Sequence, residues 1–496
     1  MRPLCCALAG MLLGLTGCPP PSEGSGEPDG GGEPDGGGEL QQVSGTAIDT
    51  YITLEGDVEL PRDLRSVDIA ALVPVEGGGF RRIAGSGTAD GTFRILGVPM
   101  TTYYLKFGTT YIVTSARMLD LGQVLLGRPD RVRPTISPTL ITFQVDQMQP
   151  WQASHNLAIY VPALGAMDQF TDAFAVDPPA PGATSLRMSV NWARAREPYL
   201  IDGIKGDRLH LLHLVGRINQ QGRAYQALGQ IYTAPSFSLG DGQQVTLTGS
   251  FRAVPQDRRS SATWQRSQFE ALRTLVNPSA TLFSQSHEVL TAPKLAAHGD
   301  LGAHAILAAV YPSPEATDLE TGEMVHGHPF SPDWTVVTST GSTYLVSYQL
   351  PGAAAGQARG AIFTIQQDRV GATVVPLVGP VVRPQLAGRD AFMNLTGVGD
   401  TPTLSWSPPT TGRATGYHIF LYRLFEDNGN TRRTLVATLR TANTSITLPP
   451  GLLERGRVHT ATIVSQHRPG IDITTRPLRK GLPEGGAACL LGTFTP

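Results

Sequence analysis

A hairpin signature lies in the first quarter of the chain, in the stretch Gly87-Thr88-Ala89-Asp90-Gly91-Thr92-Phe93-Arg94-Ile95. The Asp90-Gly91 pair favours a tight turn, because glycine adopts a positive φ without steric cost. After the turn, Phe93 and Ile95 fall on one face of a strand, and their neighbours fall on the other. The stretch predicts paired strands with one buried face, and this decides the fold class.

Short alternating runs of this kind recur along the chain. They are punctuated by 56 glycines and 39 prolines. Turn residues at intervals of about ten are typical of all-β folds, so we predict a multi-domain protein of tandem β-sandwiches. One short helix is predicted at 263–275, where apolar side chains form a stripe before Pro278.

Residues 41–130 form the first predicted module. Its hairpin stretch has the pattern T-x-x-G-x-F, and it is followed by Gly97-Val98-Pro99 and by Tyr103-Tyr104-Leu105. This succession resembles the carboxypeptidase regulatory-like domain, a transthyretin-like β-sandwich. Thr101 and Thr102 precede the tyrosine strand where that family usually has glycine, which implies a different turn. The resemblance implies a supporting module without an active site.

Residues 385–496 resemble a fibronectin type III domain. The run Pro402-Thr403-Leu404-Ser405-Trp406-Ser407-Pro408-Pro409 matches the tryptophan strand of that family, and 417–421 alternates as the next strand does. Asn428-Gly429 is a strong hairpin-turn pair. His459 stands where the family prefers a tyrosine that ties a corner to the backbone, and the imidazole could donate a similar hydrogen bond.

The middle of the chain matches no family pattern. We predict two β-rich domains there, 131–255 and 256–384, separated near the polar stretch after Pro255, with the short helix in the second. The predicted strands are the strand-like runs at 157–161, 186–190, 209–215, 227–231, 244–251, 305–310, 334–338, 343–348, 360–365 and 372–375.

Residues 1–17 have the pattern of a secretory signal peptide. Arg2 is followed by an uncharged, mostly apolar run that is shorter than the roughly 20 residues needed to span a bilayer. At its end, Leu15-Thr16-Gly17-Cys18 resembles the lipobox of bacterial lipoproteins. The resemblance implies cleavage before Cys18 and acylation of that cysteine with a diacylglycerol thioether and an N-acyl chain, which suffices for stable anchoring. A buried N-terminal strand or helix is the alternative.

Residues 18–40 are predicted to be a disordered tether. The hexapeptide Glu-Pro-Asp-Gly-Gly-Gly occurs at 27–32 and again at 33–38, and Leu40 is the one apolar residue between 19 and 40. So little apolar surface cannot offset the entropy of folding. Pro19, in place of aspartate, resembles the pattern of lipoproteins sent on to the outer membrane. We therefore expect a lipid anchor in the outer membrane of a Gram-negative bacterium, on the periplasmic face or at the cell surface.

Charge and cysteine content narrow the classes of protein further. The formal net charge is −2, and six acids without a base lie in the tether, so the remaining chain is close to neutral. This balance argues against a nucleic-acid partner. Cys5 and Cys6 would leave with the signal peptide and Cys18 would carry the lipid, so Cys489 would have no disulfide partner and stability must come from core burial. No apolar run of membrane-spanning length follows Cys18, and the body is predicted to be soluble.

One histidine pair is a candidate for metal chemistry. On a strand, His326-Gly327-His328 would place two imidazoles on one face, and the nearby Asp318, Glu320 and Glu323 could complete the ligand shell. A surface loop before Pro329 is the alternative, and we predict no bound metal.

Other known catalytic motifs are incomplete or absent in this sequence. His287-Glu288 begins like the helix of zinc peptidases, but Thr291 stands where the second histidine is required. No G-x-S-x-G elbow and no phosphate-binding glycine loop occur in the sequence. The 5 tryptophans are isolated in sequence, and we assign them to cores rather than to a glycan-stacking face.

Together these features predict a lipid-anchored cell-envelope protein with a non-catalytic binding, adhesion or scaffold role. Its partners would be the membrane, through lipidated Cys18, and an envelope protein or glycan. No cofactor is expected. The alternative is an envelope hydrolase or a metal-dependent enzyme with its site in residues 131–384, and a third possibility is a structural envelope component without a ligand.

Overall fold

The computed structural model describes residues 41–170, 176–294, 304–313 and 317–496. The predictions for the signal peptide, for Leu15, Thr16, Gly17 and Cys18 of the lipobox, and for the tether lie outside these residues. About 52% of the chain is strand and 5% is helix. The prediction of an all-β fold built from several β-sandwiches is confirmed.

The first module consists of short strands. They are β1 (Gln41–Thr46), β2 (Ile48–Ile52), β3 (Asp57–Pro61), β4 (Ile69–Pro74), β5 (Phe80–Ala84), β6 (Ser86–Gly87), β7 (Thr92–Val98), β8 (Tyr103–Phe107), β9 (Thr110–Thr114), β10 (Met118–Asp120) and β11 (Val124–Leu126).

The next region adds ten strands and three single 3-10 turns, at Pro162–Leu164, Trp192–Arg194 and Gly203–Lys205. The strands are β12 (Leu140–Asp146), β13 (Asn156–Val161), β14 (Ala166–Gln169), β15 (Leu186–Asn191), β16 (Ile201–Asp202), β17 (His210–Ile218), β18 (Ala224–Thr233), β19 (Ser238–Leu239), β20 (Gln244–Ser250) and β21 (Arg252–Ala253).

The third region contains the helical segments α1 (Arg266–Ala271) and α2 (Arg273–Val276). They lie within or beside the predicted helix at 263–275, but residues 263 and 264 belong to a strand and Leu272 interrupts the helix. Its strands are β22 (Arg258–Ser260), β23 (Ala262–Trp264), β24 (Thr281–Ala292), β25 (Ala305–Val310), β26 (Leu319–Glu320), β27 (Met324–His326), β28 (Thr335–Tyr348), β29 (Gly356–Gln367) and β30 (Ala372–Val374). The last region has β31 (Val382–Leu386), β32 (Arg389–Asp390), β33 (Thr403–Ser407), β34 (Gly416–Asp427), β35 (Asn430–Thr441), β36 (Ser445–Thr447), β37 (His459–His467) and β38 (Glu484–Phe494).

The hairpin at Asp90-Gly91 forms as predicted. Gly91 has a φ of +77°, and β7 pairs antiparallel with β6 and β1. Phe93 and Ile95 are 3% and 1% exposed, whereas Arg94 between them faces solvent. Alternation therefore sets the orientation of this sheet, as expected for a strand with one buried face.

One 17-stranded sheet runs through the molecule, and we call it the long sheet. Its strands are paired in the order β14-β13-β17-β18-β25-β24-β28-β29-β38-β37-β34-β35-β9-β8-β4-β5, with β21 beside part of β18. All pairs are antiparallel except β9 and β35, where Thr110–Ile112 lie beside Thr438–Arg440. The first and last modules are thus joined by backbone hydrogen bonds.

Smaller sheets cover the long sheet and create separate cores. Sheet β10-β1-β7-β6 packs its inner face on β4, β8 and β9, and β15-β12-β20 packs on β13 and β17. Sheet β32-β31-β33-β36 covers β34, β35 and β37. Each contact is a β-sandwich, and together they give the tandem arrangement.

The structure departs from the predicted strands at one point. The runs predicted at 334–338 and 343–348 are parts of the single strand β28, which continues through the polar residues between them. The polar side chains are buried, and β28 is flanked by β24 and β29 along this stretch. Ladder hydrogen bonds on both sides hold the strand where its side chains suggested a break.

Candidate functional site

The two histidines of the 326–328 pattern contact different partners. His326 Nε2 lies 3.1 Å from Ser260 Oγ, and His328 Nε2 lies 3.0 Å from Thr291 Oγ1. Burial lowers the pKa of His326 to about 4, so its imidazole is neutral near pH 7. His326 is only 2% exposed, and the surface-loop alternative is therefore wrong for this residue.

The carboxylates expected near these histidines do not complete a ligand shell with them. Asp318 Oδ1 accepts hydrogen bonds from the backbone N and the hydroxyl of Ser267 at 2.9 and 2.7 Å. Glu323 pairs with Arg259 at 2.9 Å, and Glu320 is exposed on β26. In the part of the chain that the structure describes, no group of three or more His, Cys, Asp or Glu side chains could hold a metal ion.

A buried Ser-His-Asp contact set, which sequence reasoning missed, surrounds His326. Ser260 Oγ donates to Asp368 Oδ2 at 2.7 Å and lies 3.1 Å from His326 Nε2. Burial raises the pKa of Asp368. In a nucleophilic triad the histidine stands between the serine and the acid, but here the serine occupies the central place. The arrangement satisfies buried polar groups and does not form that relay.

His287 and Glu288 lie on β24, so consecutive side chains point to opposite faces of the long sheet. His287 Nδ1 lies 2.7 Å from Thr340 Oγ1, and burial lowers its pKa to about 4. Glu288 Oε1 accepts a hydrogen bond from the Tyr311 hydroxyl at 3.0 Å. Burial raises the pKa of Glu288 to about 7, which makes it an unusual carboxyl group in this body.

A second buried histidine pair lies in the preceding region. His213 Nε2 and His155 Nδ1 are 3.0 Å apart, and the His213 ring stacks on Trp151 at 5.7 Å between centroids. Burial lowers the pKa of His213 to about 4. The two histidines are distant in sequence and carry no motif, so only the pairing of β13 with β17 and its neighbours reveals the contact.

The assignment of tryptophans to cores is confirmed for four of them. Trp151, Trp192, Trp264 and Trp406 are 4%, 0%, 0% and 6% exposed. Trp334 is half-buried and stacks on Phe330, with centroids 4.9 Å apart and rings 5° from parallel. These rings stabilise the interior rather than form an exposed row.

An open groove of about 830 Å³ lies on the outer face of sheet β10-β1-β7-β6. Its lining combines hydroxyl groups with two guanidinium groups and one exposed thioether, and includes Ser44, Thr46, Thr92, Arg94, Met118 and Arg476. Arg476 belongs to the long β37–β38 loop, which hydrogen-bonds to the first module through Thr475 O and the backbone N of Asp120. The groove is thus built by the first and last modules together.

The corner that precedes β37 contains hydrogen bonds between the His459 ring and the backbone. Its Nδ1 lies 3.1 Å from Arg457 O, and its Nε2 lies 3.5 Å from the backbone N of Glu454. The imidazole therefore ties the corner to backbone just upstream. At 456 a glycine with a φ of +72° completes the turn.

No family model matches this chain, and no curated protein matches it. Among solved structures, Escherichia coli alpha-2-macroglobulin activated by porcine elastase is 9% identical with a TM-score of 0.13, over 92% of this chain and 44% of that one. The chain thus spans less than half of that protein. A tetra-tandem repeat in the extending region of a large adhesion protein is 11% identical with a TM-score of 0.11, over 91% and 99% of the two chains. Among the described residues, no helix has the length and apolar character needed to cross a membrane.

Proposed function

We propose that this chain is a lipid-anchored protein of the bacterial outer membrane whose β-sandwich body has a binding, adhesion or scaffold role. The order of its segments supports the proposal. The lipobox-like Leu15–Cys18 is followed by the acidic segment 19–40, and the first strand of the body begins directly afterwards at Gln41. An acylated Cys18 would therefore hold the whole body beside a membrane.

The long sheet supports the scaffold role. Consecutive sandwiches share strands through pairs such as β29–β38 and β35–β9, so backbone hydrogen bonds restrict their rotation. A partner bound at one end would be held at a defined distance from the module at the other end. His155, His213, His287 and His326 each contact at least one other side chain of the body through a ring nitrogen, which favours a stabilising role for them.

The test is incorporation of a palmitate analogue into the full chain in a Gram-negative host. Cys18→Ala is expected to abolish labelling and to leave a precursor of full size. The matched control is Cys5→Ala, in the same N-terminal segment, which should be labelled and processed normally. Labelling and normal processing of Cys18→Ala would overturn the lipid anchor, and fractionation of labelled protein with the inner membrane would overturn the outer-membrane location.

A further inference from the structure

We propose that the outer face of sheet β10-β1-β7-β6 rests on an anionic lipid surface, so that the body lies against the membrane. We call this surface the anchor face and define it by Ser44, Arg94, Leu96, Met118 and Arg476. The inference rests on the proposed function, because the lipid chain on Cys18 would bring the body to that membrane. It adds an orientation and a second membrane contact that the anchor alone does not specify.

The alternating side-chain directions of β7 place a charged and an apolar side chain next to each other on the anchor face. Phe93 and Ile95 point into the core, whereas Arg94 and Leu96 point outward. Leu96 is 60% exposed, and Met118 on β10 is 74% exposed. Exposed apolar side chains next to arginines suit the boundary between lipid headgroups and acyl chains, where both groups find a favourable environment.

The charge of the anchor face is complementary to anionic lipid. Arg94 and Arg476 both line the groove, and neither forms an ion pair within the described residues. The one carboxylate in the lining, Asp120, is neutralised by Arg479 at 2.9 Å. Asp472 lies within electrostatic range of Arg476, but its Oδ1 accepts hydrogen bonds from Thr474. Arg476 Nη2 also donates a hydrogen bond to Gly470 O at 3.1 Å. The guanidinium of Arg94 and the remaining N–H groups of Arg476 are available to phosphate oxygens.

The position of the chain entry selects lipid over other occupants. β1 begins at Gln41 and forms part of this sheet, and Gln42 lines the groove. Residues 19–40 separate the sheet from Cys18, and an unstructured chain of that length spans about 25 Å. The anchor face thus belongs to the part of the body that is tied most closely to the membrane. The acids of the segment 19–40 would be repelled by anionic lipid, so the arginines of the body must supply the attraction.

The test uses the processed chain from residue 18 with Cys18→Ser, which keeps every described residue and carries no acyl chain. Its sedimentation is measured with vesicles of phosphatidylglycerol and phosphatidylcholine, and with vesicles of phosphatidylcholine alone. Binding is expected only to the anionic vesicles and should weaken with salt. Arg94→Gln with Arg476→Gln should reduce affinity on the order of 20-fold, at roughly five-fold for each arginine. Arg252→Gln, an exposed arginine of β21, is the matched control and should change nothing.

A second measurement reports where the body meets lipid. Cys489 is buried, so Met118→Cys in the same chain provides one accessible thiol for an environment-sensitive dye. Its emission should shift to shorter wavelength on anionic vesicles. A dye at Ile218→Cys should not shift, although Ile218 is equally exposed at 75%.

Several outcomes would overturn the proposal. They are absence of binding to anionic vesicles, equal binding by the double arginine variant, and an equal dye shift at both positions. Retention of the chain on polyglutamate, lost in the double variant, without vesicle binding would assign the face to an acidic protein instead. Since this chain lacks the acyl group, these results are independent of palmitate labelling, and the two proposals can fail separately.

Discussion

The hydroxyl oxygen of Tyr104 accepts a hydrogen bond from the backbone N of Thr447 at 3.1 Å. Tyr104 lies on β8 of the first module, and Thr447 ends β36 of the last. The tyrosine ring belongs to the same core as Trp406 and Tyr417. Modules at opposite ends of the sequence therefore share a core as well as the β9–β35 ladder.

Tyr104→Phe should destabilise the protein by about 1 kcal/mol, because it leaves the Thr447 N–H without its partner. The measurement is urea-induced unfolding of the chain from residue 18. Tyr422→Phe is the matched control, since that buried tyrosine makes no side-chain hydrogen bond through its hydroxyl within the described residues. Equal stability of Tyr104→Phe and the parent would contradict a role for this bond in joining the modules.

The buried ion pair between Arg468 and Glu484 gives a larger expected effect. Both Arg468 Nε and Nη2 donate to Glu484 Oε1, at 3.0 and 2.6 Å, and their side chains are 8% and 6% exposed. Glu484→Gln leaves a buried guanidinium without a counter-charge, which costs about 3–5 kcal/mol. Glu454→Gln, at the half-exposed pair with Arg423, should cost less than about 1 kcal/mol. The stability losses of the two variants are compared by thermal unfolding. Similar losses would contradict the claim that burial makes the Arg468–Glu484 pair more important for stability.

Alanine substitutions at two glycines with positive φ distinguish the cost of backbone strain from the cost of a steric clash. A Cβ at Gly412 (φ +66°) would lie 1.9 Å from Leu377 O, whereas one at Gly451 (φ +80°) would meet nothing within 4 Å. Gly451→Ala should cost about 1–2 kcal/mol for the left-handed conformation. Gly412→Ala carries the same strain and also forces backbone apart, so its loss should exceed about 3 kcal/mol. Chemical denaturation measures both, and a loss at 412 no greater than that at 451 would disprove the close approach.

Glu288 is expected to make stability depend on pH. Its folded-state pKa of about 7 lies above the ordinary value of about 4.5, so the folded chain holds the proton more tightly than the unfolded chain. The contribution is greatest below pH 4.5 and is lost as the pH rises to about 7, on the order of 3 kcal/mol.

Glu288→Gln keeps an oxygen acceptor for Tyr311 and removes this titration. The variant should match the parent near pH 5 and be more stable at pH 8, as measured by unfolding across that range. The difference between the two proteins cancels the opposite effect of His213, His287 and His326, whose lowered pKa values of about 4 remove stability as the pH falls below 6.5. Glu323→Gln, exposed on the surface, is the control, and a constant difference across pH would contradict the prediction.

The sequence predicted local structure well where one residue type controls it. The Asp90-Gly91 turn and the alternation at Phe93 and Ile95 are local effects, because φ preference and side-chain direction depend on neighbouring residues alone. The helical segments near 263–275 were located for the same reason. The polar centre of β28 was misjudged as a break, since pairing with β24 and β29 overrides the pattern of its side chains.

The candidate sites were predicted less completely. Sequence spacing placed His326 and His328 on one face, but each contacts a residue from a distant segment, Ser260 and Thr291 respectively. Asp368 and the His155–His213 contact gave no sequence signal. Contacts between segments far apart in the chain depend on which strands become neighbours. The hydrophobic periodicity of a segment does not indicate which strand it will pair with.

The sequence by itself determined the all-β class, the turns and the buried face of most strands, because these follow from local backbone and hydrophobic preferences. Only the tertiary structure decided that the sandwiches share one long sheet, with β9 of the first module beside β35 of the last. It also decided that Arg94, Leu96, Met118 and Arg476 meet on one surface. Every strand edge offers the same hydrogen-bonding groups, so the choice of partner is made by the packing of whole faces rather than by any short motif.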